Sequence, residues 1–210
     1  DSGKSGLRID GRDALKQLAA EPARWKTVVT TNRLAGWEVL HPAAVDKLDR
    51  ADDQALVLRG DWHGLRVLLL SELGPAGQGA LLARGGDLRA DLVVAGLPEQ
   101  GEPLGEALLA AIQPRIVIVA DADYPVRKRA KPALIAHLAS GGATVLRLTE
   151  TGSLTARFTR DGVTVESVER AEAAGLTCFR LEFESSPGPL DLRTVDDAVS
   201  EHPAVRDRAR

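Results

Sequence analysis

Apolar positions along this chain change period several times, and each change marks an element. Two apolar runs, residues 55–59 and 65–70, flank Gly60-Asp61-Trp62-His63-Gly64. That pattern predicts a β-hairpin with a five-residue loop. Residues 78–83 follow as a short helix, 92–95 as a buried strand and 106–112 as a helix that stops near Pro114. Residues 116–120 are strongly β-branched and read as a strand. Residues 132–140 predict a helix with Pro132 in its first turn and Gly141-Gly142 closing it. Residues 144–148 and 153–159 read as strands around Thr151-Gly152. The strand–helix alternation from 92 to 148 argues for an α/β layer.

The flanks are less regular. Residues 1–11 are polar and glycine-rich, the pattern of a loop. Residues 13–21 place Ala14, Leu15 and Leu18 on one helical face, with Asp13 as N-cap and Pro22 as the stop. Residues 26–30 and 36–40 read as strands around a turn at Asn32-Arg33. After Gly162, residues 163–168 and 179–183 alternate like strands, joined by a helix or loop through 171–174. Ser185-Ser186-Pro187-Gly188-Pro189 reads as a linker before a charged tail with little to bury. The expected organisation is an N-terminal loop, helix and strand (1–36), an α/β domain (37–168) and a C-terminal extension with tail (169–210). No internal repeat is visible.

Composition narrows the class. The chain has 210 residues, 44% of them hydrophobic, which suits one globular domain with an appendage. Seven aromatic residues leave the core to Ala, Leu and Val. A net charge of -3 gives no global drive toward nucleic acid or anionic membranes. The single Cys178 excludes an internal disulfide and, among apolar neighbours, reads as a small buried hydrophobe. No apolar run approaches the roughly 20 residues a membrane helix needs, so direct membrane insertion by this segment is not expected. Methionine is absent, even at position 1. The expectation is a chain processed or cut from something longer.

Several short motifs also have ordinary explanations. Gly3-Lys4-Ser5 lacks the upstream strand and following helix of a phosphate-binding loop and reads as a polar loop. His41, His63, His137 and His202 show no paired metal-ligand spacing, and surface or turn positions are expected for them. Acidic residues cluster at Asp49, Asp52 and Asp53. Asp121 and Asp123 follow the 116–120 strand, where α/β sheets place their sites. They could hold Mg²⁺ or Mn²⁺ through oxygen ligands, or cap the turn before Pro125. Arg127, Lys128, Arg129 and Lys131 form the densest basic cluster, suited either to phosphate contacts or to a solvated loop. No aromatic residues beyond Tyr124 interleave with it.

Three stretches together resemble a known family. Asp52-Asp53-Gln54-Ala55-Leu56-Val57-Leu58, followed by Arg66 to Gly74, is similar to the hairpin "N-D-x-S-L-V-L … L-L-T-G-D" of ComEC-type competence proteins. Arg89 to Val94, the helix through Leu109 and Gln113 to Ile118 resemble that family's next strand, helix and strand. Lys131 to Leu138, Gly141 to Val145 and Thr149-Glu150-Thr151-Gly152 resemble its closing helix, strand and turn. The resemblance covers residues 37–165. It implies an α/β metallo-β-lactamase-like mixed sheet with flanking helices, plus a small β-rich C-terminal extension.

The resemblance also implies the second half of a metallo-hydrolase domain belonging to a membrane-bound DNA-uptake protein. The family's metal-bridging Asp falls on Glu72. Its "P-H-H-G-S" segment falls on Gly96-Leu97-Pro98-Glu99-Gln100, and its late His-Pro falls near Lys131-Pro132, both without histidine. The upstream H-x-H-x-D-H has no counterpart in residues 1–50. A two-metal site needs those ligands to generate hydroxide.

The expectation is therefore a degenerate domain with a structural or nucleic-acid-adjacent role and no cofactor. The alternatives are a Zn- or Mn-dependent phosphodiesterase using Glu72, Asp121 and Asp123 or ligands outside the segment, and a protein-interaction module. Expected partners are DNA, through Arg127, Lys128, Arg129 and Lys131, and the membrane-embedded remainder of a longer chain. That would tether the segment at the bacterial inner membrane.

Overall fold

The computed structural model describes residue 20, residues 28–168 (the side chains of Arg127 and Val168 excepted), and the backbone of 179–183 and 191–194. The expected N-terminal loop and the 13–21 helix, the 171–174 connection, the 185–189 linker, Cys178 and His202 lie outside these residues.

The chain enters through two tight hairpins. Strands β1 (Arg33–Leu34) and β2 (Trp37–His41) are joined at Ala35-Gly36, with φ of 47° and 92°. Two successive positive φ values give the turn whose twist matches paired strands. Residues 28–30 are not a strand, so the expected pairing partner moves to 33–34 and the turn moves from Asn32-Arg33 to Ala35-Gly36.

The second hairpin joins β3 (Val57–Trp62) to β4 (Leu65–Ser71) through His63-Gly64 alone, with φ of 56° and 81°. The expected five-residue loop is therefore two residues, because Gly60, Asp61 and Trp62 pair with Val67, Arg66 and Leu65. Gly60 is a packing glycine, not a breaker. A Cβ there would lie 2.0 Å from the Trp62 ring, which folds back over it and fills the missing side chain's place.

From β4 onward the sheet turns parallel. The chain runs through α1 (Pro75–Ala83), β5 (Leu92–Gly96), α2 (Glu106–Ile112), β6 (Ile116–Ala120), α3 (Pro132–Ala139) and β7 (Thr144–Arg147). The seven strands lie in the order β1-β2-β3-β4-β5-β6-β7, antiparallel up to β4 and parallel beyond. Chain direction past β7 does not stay extended as far as residue 148. A single helical turn, α4 (Leu148–Thr151), intervenes before β8 (Ser153–Phe158).

A mixed sheet with flanking helices is thus present, and the three crossover helices α1, α2 and α3 pack on the same face of it. Leu81 of α1, Leu108 and Ile112 of α2, and Leu134 and Leu138 of α3 share one buried cluster with Leu68, Leu70, Val93, Val117 and Val119 of the strands. The reason is topological. Crossovers of one hand between strands that advance steadily in one direction all land on the same side.

The opposite face carries Val67, Leu92, Ile116 and Ile118, which cannot be left in water. They are covered by β8 and β9 (Val163–Val168), which form a second, antiparallel sheet with β10 (Phe179–Phe183) and β11 (Asp191–Thr194) in the order β11-β10-β9-β8. Val163 and Val165 of β9 are fully buried against the main sheet. This sheet continues across the expected boundary after residue 168, and part of the charged tail supplies its outer strand.

Candidate functional site at the strand ends

Parallel strands deliver their C-terminal ends to one rim, where the loops after β4, β5, β6 and β7 meet. Glu72 follows β4 directly, after Ser71 turns the chain with φ of 51°. Its side chain crosses Gly96 at the end of β5, where a Cβ would lie 2.8 Å from the Glu72 Cγ. Gly96 is therefore required by that crossing.

The Glu72 carboxylate meets Lys128. The ammonium lies 2.8 Å from Oε2 and also donates to the Leu97 carbonyl at 2.7 Å. Lys128 comes from the short 3₁₀ turn Val126–Lys128 in the β6–α3 loop, so one cation ties three strand ends together. Of the four basic residues grouped in sequence, Lys128 thus points into the rim. Arg129 is exposed, 3.7 Å from Asp123, and Lys131 is exposed at the start of α3, with Tyr124 and Val126 open to solvent nearby.

Asp121 and Asp123 do not converge. Asp121 is 94% removed from solvent and accepts three hydrogen bonds: Thr149 N at 3.0 Å, Thr149 Oγ1 at 2.9 Å and Ala130 N at 3.2 Å. It pins the approach to α3 against the first turn of α4, as a carboxylate with several donors does. Asp123 faces solvent beside Arg129. Among the described residues, no three His, Cys, Asp or Glu side chains gather around a point where one metal ion could sit.

The Asp49–Asp52–Asp53 cluster divides in the same way. Asp52 accepts the Glu99 N–H at 2.6 Å and so holds the loop after β5. Asp53 is buried and receives the Ala76 and Gly77 N–H groups at 2.9 and 3.2 Å, capping α1 from a distant turn. A Cβ at Gly74 or Gly77 would collide with Asp53, at 2.5 and 2.4 Å.

His41 departs from the expected turn or surface position: it is fully buried. Nε2 lies 2.7 Å from the Asp53 carbonyl and therefore donates to it. Nδ1 then accepts from the Arg84 guanidinium at 2.6 Å, and Arg84 also makes two bonds to Asp46, at 3.0 and 2.9 Å. Burial is the main cause that pushes the His41 pKa below 6.5, with the Arg84 charge adding to it, against the raising effect of its bond to Asp53. Burial also works to raise the Asp46 pKa, but the Ala43 N–H and Arg84 outweigh it and hold the carboxyl below its ordinary value. Sequence offered no signal for this node, whose members are 12 and 43 residues apart.

His63 occupies the exposed β3–β4 turn. His137 is half-buried on α3, with Nε2 3.8 Å from Glu102. Comparison with known proteins gives no relative: no family model matches the chain, and neither a curated protein nor a solved structure matches it significantly.

Proposed function

We propose that this chain is a non-catalytic, metallo-β-lactamase-like domain of the ComEC type, with a structural role next to nucleic acid. The observation that carries the reading is the Lys128–Glu72 pair. Glu72 stands where the resemblance puts a metal-bridging carboxylate, and an ammonium group 2.8 Å away supplies the positive charge that such a carboxylate needs. Lys128 is anchored there by the Leu97 carbonyl, so a divalent ion would have to displace a cation already held by two oxygens. Asp121 adds support, because its acceptors are engaged by Thr149 and Ala130. The mixed sheet with helices on one face is compatible with the proposed scaffold.

Metal analysis tests the reading. After incubation with Zn²⁺ or Mn²⁺ and exhaustive dialysis, the protein should retain well under one equivalent, and Glu72→Ala should change nothing. One equivalent that survives dialysis and disappears in Glu72→Ala would instead support a metal-dependent phosphodiesterase. In the same preparation, double-stranded DNA should bind weakly at about 50 mM salt and release as salt rises, the behaviour of phosphate contacts alone. No binding at that salt would remove the nucleic-acid part of the proposal and leave a protein-interaction role.

A further inference from the structure

β8 and β9 cover only part of the apolar face on which they pack. Between β8 and the seven-stranded sheet an open cleft of about 810 Å³ remains. Trp37, Trp62, Leu69, Val94 and Ile118 form the floor on the main sheet, and Phe158 of β8 forms the near wall. Trp37 and Trp62 meet edge to face at 4.5 Å, and Phe158 lies 5.6 Å from Trp62. Trp37, Trp62, Leu69 and Val94 are only half-buried although they pack on the apolar cluster.

The strand beside this cleft is an edge. Among the described residues β8 ends its sheet and pairs with β9 only, through six consecutive residues with no bulge. Proteins blunt such edges with short strands, proline, lysine or bulges, because an open row of N–H and C=O groups recruits another strand. The outer strands of the main sheet follow that rule, with two residues in β1 and four in β7. β8 does not: Ser-Leu-Thr-Ala-Arg-Phe has no proline and no lysine. Its one charge, Arg157, lines the cleft with no acidic partner among the described residues.

We propose that β8 and the adjoining cleft bind one extended segment of another polypeptide by strand addition. The two features select the same occupant. A free strand edge calls for a backbone that can pair with it, and an apolar floor calls for alternate apolar side chains, which an extended strand presents every second residue. Arg157 adds a preference for an acidic residue on the incoming strand. A compact apolar ligand would fill the cleft and leave the edge unpaired. This inference is independent of the metal question, since none of these groups belongs to the strand-end rim.

The test uses the full chain and a fluorescein-labelled hexapeptide alternating valine with threonine and carrying one glutamate. Hydrogen–deuterium exchange should show the outward-facing amides of residues 153–158 exchanging quickly in the free protein and slowly with the peptide bound. N-methylation of alternate peptide residues removes about three pairing bonds and should weaken binding at least about tenfold. Exchanging the peptide glutamate for lysine should weaken binding, and Arg157→Glu should reverse that preference. Equal binding of the N-methylated peptide would overturn the strand-addition reading in favour of simple apolar partition. Slow exchange of the outward amides in the free monomer would overturn it, because the edge would already be paired. Concentration-dependent dimerisation that slows the same amides would assign the edge to a second copy and overturn it equally.

Discussion

Replacing His41 by Phe tests the buried node that joins β2, the Asp52–Gln54 turn and α1. The ring shape is kept, but the Asp53 carbonyl loses its donor in a site with no exposure of the imidazole. A buried acceptor left without a partner costs about 1–3 kcal/mol. Arg84 loses the Nδ1 acceptor but keeps two bonds to Asp46 and one to the Leu40 carbonyl, so that loss adds only about 1 kcal/mol. Together they predict a destabilisation of about 2–4 kcal/mol at pH 8, read from urea unfolding followed by far-UV circular dichroism.

The pH dependence follows from the direction of the shift. Because the folded-state pKa is held below 6.5, unfolded His41 takes up a proton at a pH where folded His41 does not. The stabilisation is then fully present above pH 6.5 and is lost as pH falls through the lower, folded value. The gap between parent and His41→Phe should therefore narrow from pH 8 to pH 5, whereas the gap for an unrelated core variant should not. A destabilisation below about 0.5 kcal/mol, the scale of an ordinary surface substitution, would refute the argument. So would a gap that stays constant with pH.

Gly60→Ala places a methyl 2.0 Å from the Trp62 ring and should cost about 1–3 kcal/mol, with loss of the near-ultraviolet dichroism of the Trp37–Trp62 pair. Asp121→Ala strands the Thr149 and Ala130 donors and should cost about 2–3 kcal/mol in urea unfolding, with little effect on DNA affinity. Neutralising Arg127, Arg129 and Lys131 together should flatten the log–log salt dependence of double-stranded DNA binding by up to about 2.7. Lys128→Ala should leave that slope unchanged, since its ammonium is turned toward Glu72. A slope that responds to Lys128 alone would invert this assignment.

Local pattern was sufficient for the parallel half of the protein. The runs at Leu92–Gly96 and Ile116–Ala120 are apolar throughout because both of their faces are buried, and Pro132 and Gly141-Gly142 bracket α3, the helix that follows them. The β3–β4 pairing was also legible, but its turn was not. Gly60 looks like a breaker until Trp62 is seen lying over it, a relation that depends on side-chain direction in the folded strand.

The same holds for charge. Asp121, Asp123 and the basic cluster are adjacent in sequence, yet Asp121 turns inward to Thr149, Lys128 reaches across to Glu72, and Asp123 and Arg129 face water. Hydrophobic periodicity is a property of neighbours and survives in one dimension. Which polar groups meet across 12 to 56 residues is set by where the sheet brings its strand ends, and only the tertiary structure holds that information.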